Sequence, residues 1–433
     1  MKMEKIVEIL KKKDLEGFEV YLEETESNPV IFEQNELQSL EKKFDRGVGV
    51  RLIRNGRLGF SSTNDFESPD EVVEYALESA RYGEKVTYSF PGPSETADLR
   101  IYSDEGWPEK ERIEIGNRIL EELKGLARDV KIDMELDYTR KKATIINSAG
   151  LQVEMEKTFY SFEISGFTIT ESGFVWVYEQ KASLKPLPPF DDLIRKLLKK
   201  LEHADRTARS KSGELKVVFA PQALFSLIRP FAVGLSGKNI AKRISPLTNR
   251  IGEKIVGENI TFIDDGTIPW SWGTRPFDDE GIPVKKRFLI EKGVLRGYLL
   301  DLNTSSKIGM ESTGNAFRKY SSLPSPSFNN LLIEPGEIPS SEIFKDIDYG
   351  IVVHSVIGGG QSNLLAGDFS LNIGLGFLIE KGEVVGRVKD TMVAGNVYDC
   401  FNRVYAVSRD TEALGPYILP YIAFEKLNVT AKE

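Results

Sequence analysis

Apolar positions recur along this chain with two periods, one helical and one extended. Met3, Ile6, Val7 and Leu10 fall at helical spacing, which predicts a short amphipathic helix at the start. Phe18, Val20 and Leu22 then alternate with Glu19, Tyr21 and Glu23, the pattern of a half-buried strand. Extended runs follow at 29–34 and 37–44, and Asn55-Gly56 between alternating segments predicts a tight hairpin. Ser68-Pro69-Asp70-Glu71 reads as a capping box that opens a helix burying Val72, Val73, Ala76, Leu77 and Ala80. A second helix after Trp107-Pro108 presents Ile113, Ile119, Leu120, Leu123 and Leu126 on one side. Ile132, Met134, Leu136 and Tyr138 alternate with Asp133, Glu135 and Asp137, and strand pattern continues to about Gln180.

Pro186, Pro188 and Pro189 punctuate the middle, ahead of a helix that buries Leu193, Ile194, Leu197, Leu198 and Leu201. Beyond residue 252 the pattern is strand, turn, strand almost to the end. The hexapeptide FLIEKG occurs twice, at 288–293 and 377–382, each time ending in the Lys-Gly pair that a tight turn uses. These elements predict an α+β protein. N-terminal helices cover a mostly antiparallel sheet in residues 1–185, a linker helix occupies 186–213, and residues 214–433 form a β-rich domain of hairpins with few helices. A chain of 433 residues exceeds one ordinary core, which agrees with two domains.

Charge and cysteine content narrow the function classes. A net charge of -9 argues against a phosphate-tracking surface, so no direct nucleic-acid partner is expected. The longest apolar-rich window, 217–235, contains Pro221, Arg229 and Pro230, and no membrane span is expected. No secretory signal is visible, and Cys400, the one cysteine, excludes an internal disulfide, which points to the cytoplasm. Abundant Lys, Arg and Glu hint at a thermophilic source.

Candidate chemistry is sparse. His203 lies off the apolar stripe of its helix and reads as solvated, and His354 sits in a strand-like run and reads as packed. Asp264-Asp265 and Asp278-Asp279-Glu280 are the acid clusters, suited to acid–base work or a hard cation, but their Gly and Pro neighbours favour turns. Gly358, Gly359 and Gly360, with Gln361 and Ser362, follow a β-branched strand. They fit a groove for an extended peptide and, equally, a bulge that shapes the sheet.

Four phrases together resemble the TldD/PmbA family, also labelled modulators of DNA gyrase. They are GVGVRLIRNGRLGF from Gly47, FDDEGIPVKKRFLIEKGVLRGYLLD from Phe277, STGNAFR from Ser312, and IGGGQSNLLAGDFSLNIGLGFLIEKGEV from Ile357. The resemblance implies a two-part assembly that degrades or trims peptides and unfolded segments. Its TldD-type subunit is a zinc metallopeptidase with a His-Glu-x-x-x-His helix, in which imidazoles hold zinc and the glutamate acts as base. Aligned on Gly234-Leu235 and Gly237, this chain has Ile228 and Val233 at the histidine positions and Arg229 at the glutamate. The family's C-terminal cysteine would fall near 406–415, where none occurs. These departures match the PmbA/TldE-type subunit, which implies no catalytic residue and no metal in this chain. Zinc is expected in a TldD-type partner, with which this chain forms a hetero-oligomer that takes peptide or unfolded-protein substrates. Self-association of the isolated chain is left open by the sequence. Two alternatives stay open: a stand-alone regulatory or protein-binding factor, and a non-zinc hydrolase using the Asp278 cluster.

Overall fold

The computed structural model describes residues 2–126, 130–170, 173–358 and 363–432. The mixed α+β class follows as expected, with two large sheets and short helices between and around them. The first sheet contains β1 (Gly17–Ser27), β2 (Val30–Glu33), β3 (Glu36–Leu40), β4 (Lys43–Arg54), β5 (Arg57–Thr63), β6 (Lys131–Asn147), β7 (Gln152–Thr170) and β8 (Gly173–Ser183). Its order is β3-β2-β6-β1-β4-β5, with β7 and β8 continuing from β6, and all its pairings are antiparallel. Helices α1 (Lys2–Lys11) and α2 (Pro69–Ala80) close a core with Val20, Val48, Val50 and Leu52, and α3 (Glu109–Leu126) packs on β2 and β6.

The α2 face is as the periodicity predicts, with Val72, Val73, Ala76, Leu77 and Ala80 buried. Its capping box is not formed. Ser68 makes no side-chain cap and contributes only its carbonyl, to the Glu71 N–H at 3.2 Å, while Pro69 starts the helix. A proline at the first helical position already fixes φ and removes one orphan donor, so the side-chain cap has less to satisfy.

The second sheet has 12 strands. In chain order they are β9 (Thr207–Ala208), β10 (Gly213–Phe219), β11 (Phe262–Asp265), β12 (Lys286–Glu291) and β13 (Val294–Leu295). A separate two-stranded ribbon, β14 (Ala316–Phe317) with β15 (Ser325–Pro326), intervenes before β16 (Leu331–Ile333). The sheet resumes with β17 (Tyr349–Gly358), β18 (Asp368–Glu380), β19 (Glu383–Val388), β20 (Thr391–Asn396), β21 (Val404–Leu414) and β22 (Tyr417–Ala431). Most pairings are antiparallel, but β10 runs parallel to β17, β16 to β22 and β9 to β19.

Both FLIEKG segments form the predicted hairpins. Lys292 and Gly293 have φ of 47 and 79, and Lys381 and Gly382 have 49 and 82, the paired positive angles of a two-residue turn. Asn55-Gly56 does the same between β4 and β5, with φ of 53 and 67.

Helix α4 (Asp191–Ala204) packs on β7 and β8 of the first sheet and on β19 of the second. Its Leu193, Ile194, Leu197 and Leu201 join one apolar cluster with Phe32 and Ile164 on one side and Val352 and Phe377 on the other. His203 ends this face. It is half-buried rather than fully solvated as the helical wheel suggests, because its ring packs edge-on against Phe377 at 5.6 Å. His354 on β17 contacts the same Phe377 ring at 5.5 Å. The helical pattern alone could not show this, because the second sheet supplies the covering surface.

Burial, then the nearby Lys200, His203 and Lys196, push the His354 imidazole well below its ordinary range. The unfolded chain therefore binds a proton near pH 6.5 that the folded chain refuses, so folding loses stability as pH falls through that value. We expect the urea midpoint to drop between pH 7.5 and 5, and His354→Phe to reduce that drop. An equal drop in both proteins would refute the assignment.

Candidate functional site

The metal-binding helix implied by the family resemblance is α5 (Pro221–Leu235), which begins with Pro221 directly after the central strand β10. Ile228 has no exposed surface and lies in an apolar core with Phe219, Leu224, Phe231 and Phe401. Arg229 points outward and is exposed. Val233 is half-buried, and its carbonyl accepts from Asn239 Nδ2 at 2.8 Å. Hydrocarbon has no lone pair for a metal, and a guanidinium would repel one. No group of three or more His, Cys, Asp and Glu side chains placed to hold a metal ion occurs among the described residues.

The glycines that anchor this helix in the resemblance have steric reasons to be glycine. A Cβ on Gly234 would lie 2.5 Å from the Tyr398 hydroxyl, and one on Gly237 would lie 2.5 Å from Thr304 Oγ1. Helix α6 (Gly237–Ala241) thus sits tightly on α7 (Leu302–Ile308). The turn between β21 and β22, at the end of the stretch where the family's cysteine would fall, comes back against α5. Tyr417 packs edge-on against Phe225 at 4.9 Å and against Phe328 at 6.2 Å. The helix and the C-terminal segment meet here, and aromatic and aliphatic side chains fill the meeting place. Cys400 lies in α9 (Val397–Phe401), within the apolar core, where burial pushes its thiol up to about 12. It is an inert packed thiol.

The Asp278 cluster is the largest departure from expectation. Its members do occupy a turn, yet Asp278 and Glu280 have no exposed surface and Asp279 is 5% exposed. Asp278 Oδ1 accepts the N–H groups of Glu280 and Ile282 at 2.9 and 3.0 Å, and Oδ2 accepts that of Ala316 at 2.9 Å. Glu280 Oε1 meets Arg51 Nη1 at 2.7 Å, and its Oε2 accepts the Leu302 N–H at 2.7 Å. Arg51 also grips Glu19 through Nε and Nη2, both at 3.0 Å, and Arg318 Nη2 reaches Glu19 Oε1 at 2.5 Å. Asp279 accepts the Arg318 N–H at 2.8 Å and faces Arg275 Nη1 at 3.4 Å. Asp264, in the other acid pair, is equally buried and accepts from Asn315 Nδ2 and the Asn329 N–H, both at 2.7 Å.

Burial pushes Asp264 and Asp278 up to about 6 and Glu280 up to about 8, the last against the pull of Arg51. Burial also opposes the charge on Glu19, but Arg318 and Arg51 outweigh it and hold that carboxyl below its usual range. Raised carboxyl groups suit acid–base catalysis, but both Asp278 oxygens are occupied by backbone donors and neither reaches solvent. The cluster ties β1 and β4 of the first sheet to loops of the second.

Sequence reading singled out Asp278 but not Glu19, Arg51 or Arg318 as its partners. The signal in the sequence is an acid on the same alternating face as Tyr21, which alternation alone assigns to the solvated side. The glycine run 358–360 with Gln361 and Ser362 lies outside the described residues except for Gly358. Gly358 ends β17 with φ of 93.

Removing one partner from a buried ion network strands the others. Arg51→Met leaves Glu19 with Arg318 alone and Glu280 without a cation, which predicts a loss of about 3–5 kcal/mol. Urea unfolding checks this, and a change below about 1 kcal/mol would contradict the network's role.

Known proteins agree with this architecture. The model of the PmbA/TldA metallopeptidase C-terminal domain matches residues 212–431, and that of PmbA/TldA metallopeptidase domain 1 matches residues 18–80. An uncharacterized protein of Methanocaldococcus jannaschii is 29% identical over 98% of this chain and 99% of its own length. A metalloprotease TldD homolog of Buchnera aphidicola is 28% identical over 84% of this chain and 80% of its own. The crystal structure of TldE from Thermococcus kodakarensis superposes over 100% of both chains with a TM-score of 0.92 at 24% identity, which establishes a shared fold. With the C-terminal model spanning half of the sequence, the chain belongs to the PmbA/TldA metallopeptidase family.

Proposed function

We propose that this chain is the PmbA/TldE-like, non-catalytic subunit of a TldD-type zinc metallopeptidase. The observation that carries the reading is α5, where Ile228, Arg229 and Val233 stand at the positions that the resemblance gives to two metal-binding histidines and a general base. Zinc does not fit these residues, so no catalytic step is assigned to this chain. Its contribution is structural: it completes the assembly in which a TldD-type partner holds the metal and processes peptides or unfolded segments. The non-zinc alternative finds no support, because Asp278 is sealed inside the ion network. Among the described residues no helix is long and apolar enough to cross a membrane.

Two measurements test the proposal. Elemental analysis of untagged chain should find far less than one zinc per molecule, and a stoichiometric transition metal would contradict it. Peptidase assays on unfolded casein should show no cleavage by this chain alone. Chelator-sensitive cleavage should appear when a TldD-type chain from the same cell is added. Chelator-sensitive cleavage by this chain alone would overturn the reading.

A further inference from the structure

Both histidines of the chain line one cavity of about 280 Å³ on the outer face of the second sheet. The cavity is a gap between α4 and α8 (Ser340–Lys345), which both lie over the central strands. Its floor is built from side chains that point away from α5: Val352 and His354 on β17, Phe377 on β18 and Tyr421 on β22. One wall is a basic stripe of α4, with Lys196, Lys199, Lys200 and His203 at helical spacing. The other wall carries the Ser340 and Ser341 side chains and the Phe344 ring.

Three features distinguish this gap from an accident of packing. His354 occupies a sheet position where its neighbours are apolar, and its Nδ1 is shut off from solvent with no hydrogen-bond partner. An imidazole held at such a position costs stability that an apolar side chain would not. Second, the charge is unbalanced. Lys196 pairs with Glu412 at 2.6 Å and Lys200 with Glu179 at 2.6 Å, but Lys199 has no ion pair among the described residues. Third, Val352, Phe377 and Val384 give the cavity an apolar surface beside the basic stripe and the serines.

The geometry points to a binding site for a small carboxylate with an apolar body. The carboxylate meets the Lys199 ammonium and the serine hydroxyls, and the apolar body lies on Phe377 between the two imidazoles. A compact dianion such as phosphate fits poorly, because it would leave the apolar surface of Val352, Phe377 and Val384 uncovered. The source of the carboxylate is either a free small acid or the C-terminus of a peptide. The inference does not depend on the function proposed for α5, which lies on the opposite face of the sheet.

The molecule supplies its own reporter, since only two histidines contribute imidazole resonances. Carbon–proton spectra of the full chain, assigned with His203→Gln and His354→Gln, would be followed during titration with 3-phenylpropionate. Both resonances should move and saturate together, and 3-phenylpropanamide should need at least tenfold more to do the same. Lys199→Gln, an exposed change, should weaken binding of the acid tenfold or more while the melting temperature stays put. N-acetyl-alanyl-phenylalanine binding as tightly as 3-phenylpropionate would assign the site to peptide C-termini, and its failure to bind would assign it to free acids. Equal binding of acid and amide, preference for inorganic phosphate, or an unaffected Lys199→Gln would each overturn the inference.

Discussion

Arg51 is the point on which the two halves of this protein depend. Its guanidinium has no exposed surface to speak of and is held between Glu19, one strand away, and Glu280, more than two hundred residues along the chain. Buried charges are tolerated only when fully partnered, so the first sheet cannot leave this segment without breaking the Arg51–Glu280 and Arg318–Glu19 pairs. Glycines permit the approach. A Cβ on Gly47 would sit 2.2 Å from the Tyr320 ring, and one on Gly49 would sit 2.4 Å from the Tyr320 carbonyl. The alternating glycines of β4 are therefore a bed for the segment that carries Arg318.

This contact explains why three separate phrases resemble the family. GVGVRLIRNGRLGF contains Arg51 and both of those glycines. The phrase beginning at Phe277 contains Asp278, Asp279 and Glu280, and STGNAFR contains Asn315 and Arg318. In the fold these phrases meet in one connected set of ion pairs and hydrogen bonds. Three of the phrases quoted for the resemblance thus describe a structural lock, and α5, on which the proposed function rests, is aligned only on its glycines and Leu235.

What could be read from sequence follows from the range of the interactions involved. The three two-residue turns were legible because a positive φ at two successive residues is a local demand that few residue pairs meet. The α2 face was legible because a helix needs no distant partner to show its apolar stripe. The face of β1 with Glu19, Tyr21 and Glu23 was not legible. Alternation shows that two faces differ, but says nothing about a cover that arrives from residues 277–320. His203 failed for the same reason, since Phe377 closes on it from the other sheet.

The state of α5 follows from what holds it in place. A helix secured only by a metal would be lost with its ligands, because the metal's binding energy would be part of its folding energy. Here Leu224, Leu227, Ile228 and Phe231 bury the helix in the main core, and Gly234 and Gly237 let Tyr398 and Thr304 close over its end. Ile228 adds to that core the apolar surface that a histidine ligand would interrupt. The helix keeps its position by packing, so the ligand set is energetically separable from the fold. On the function proposed above, that separation would let one architecture serve both a metal-bearing subunit and a partner without metal.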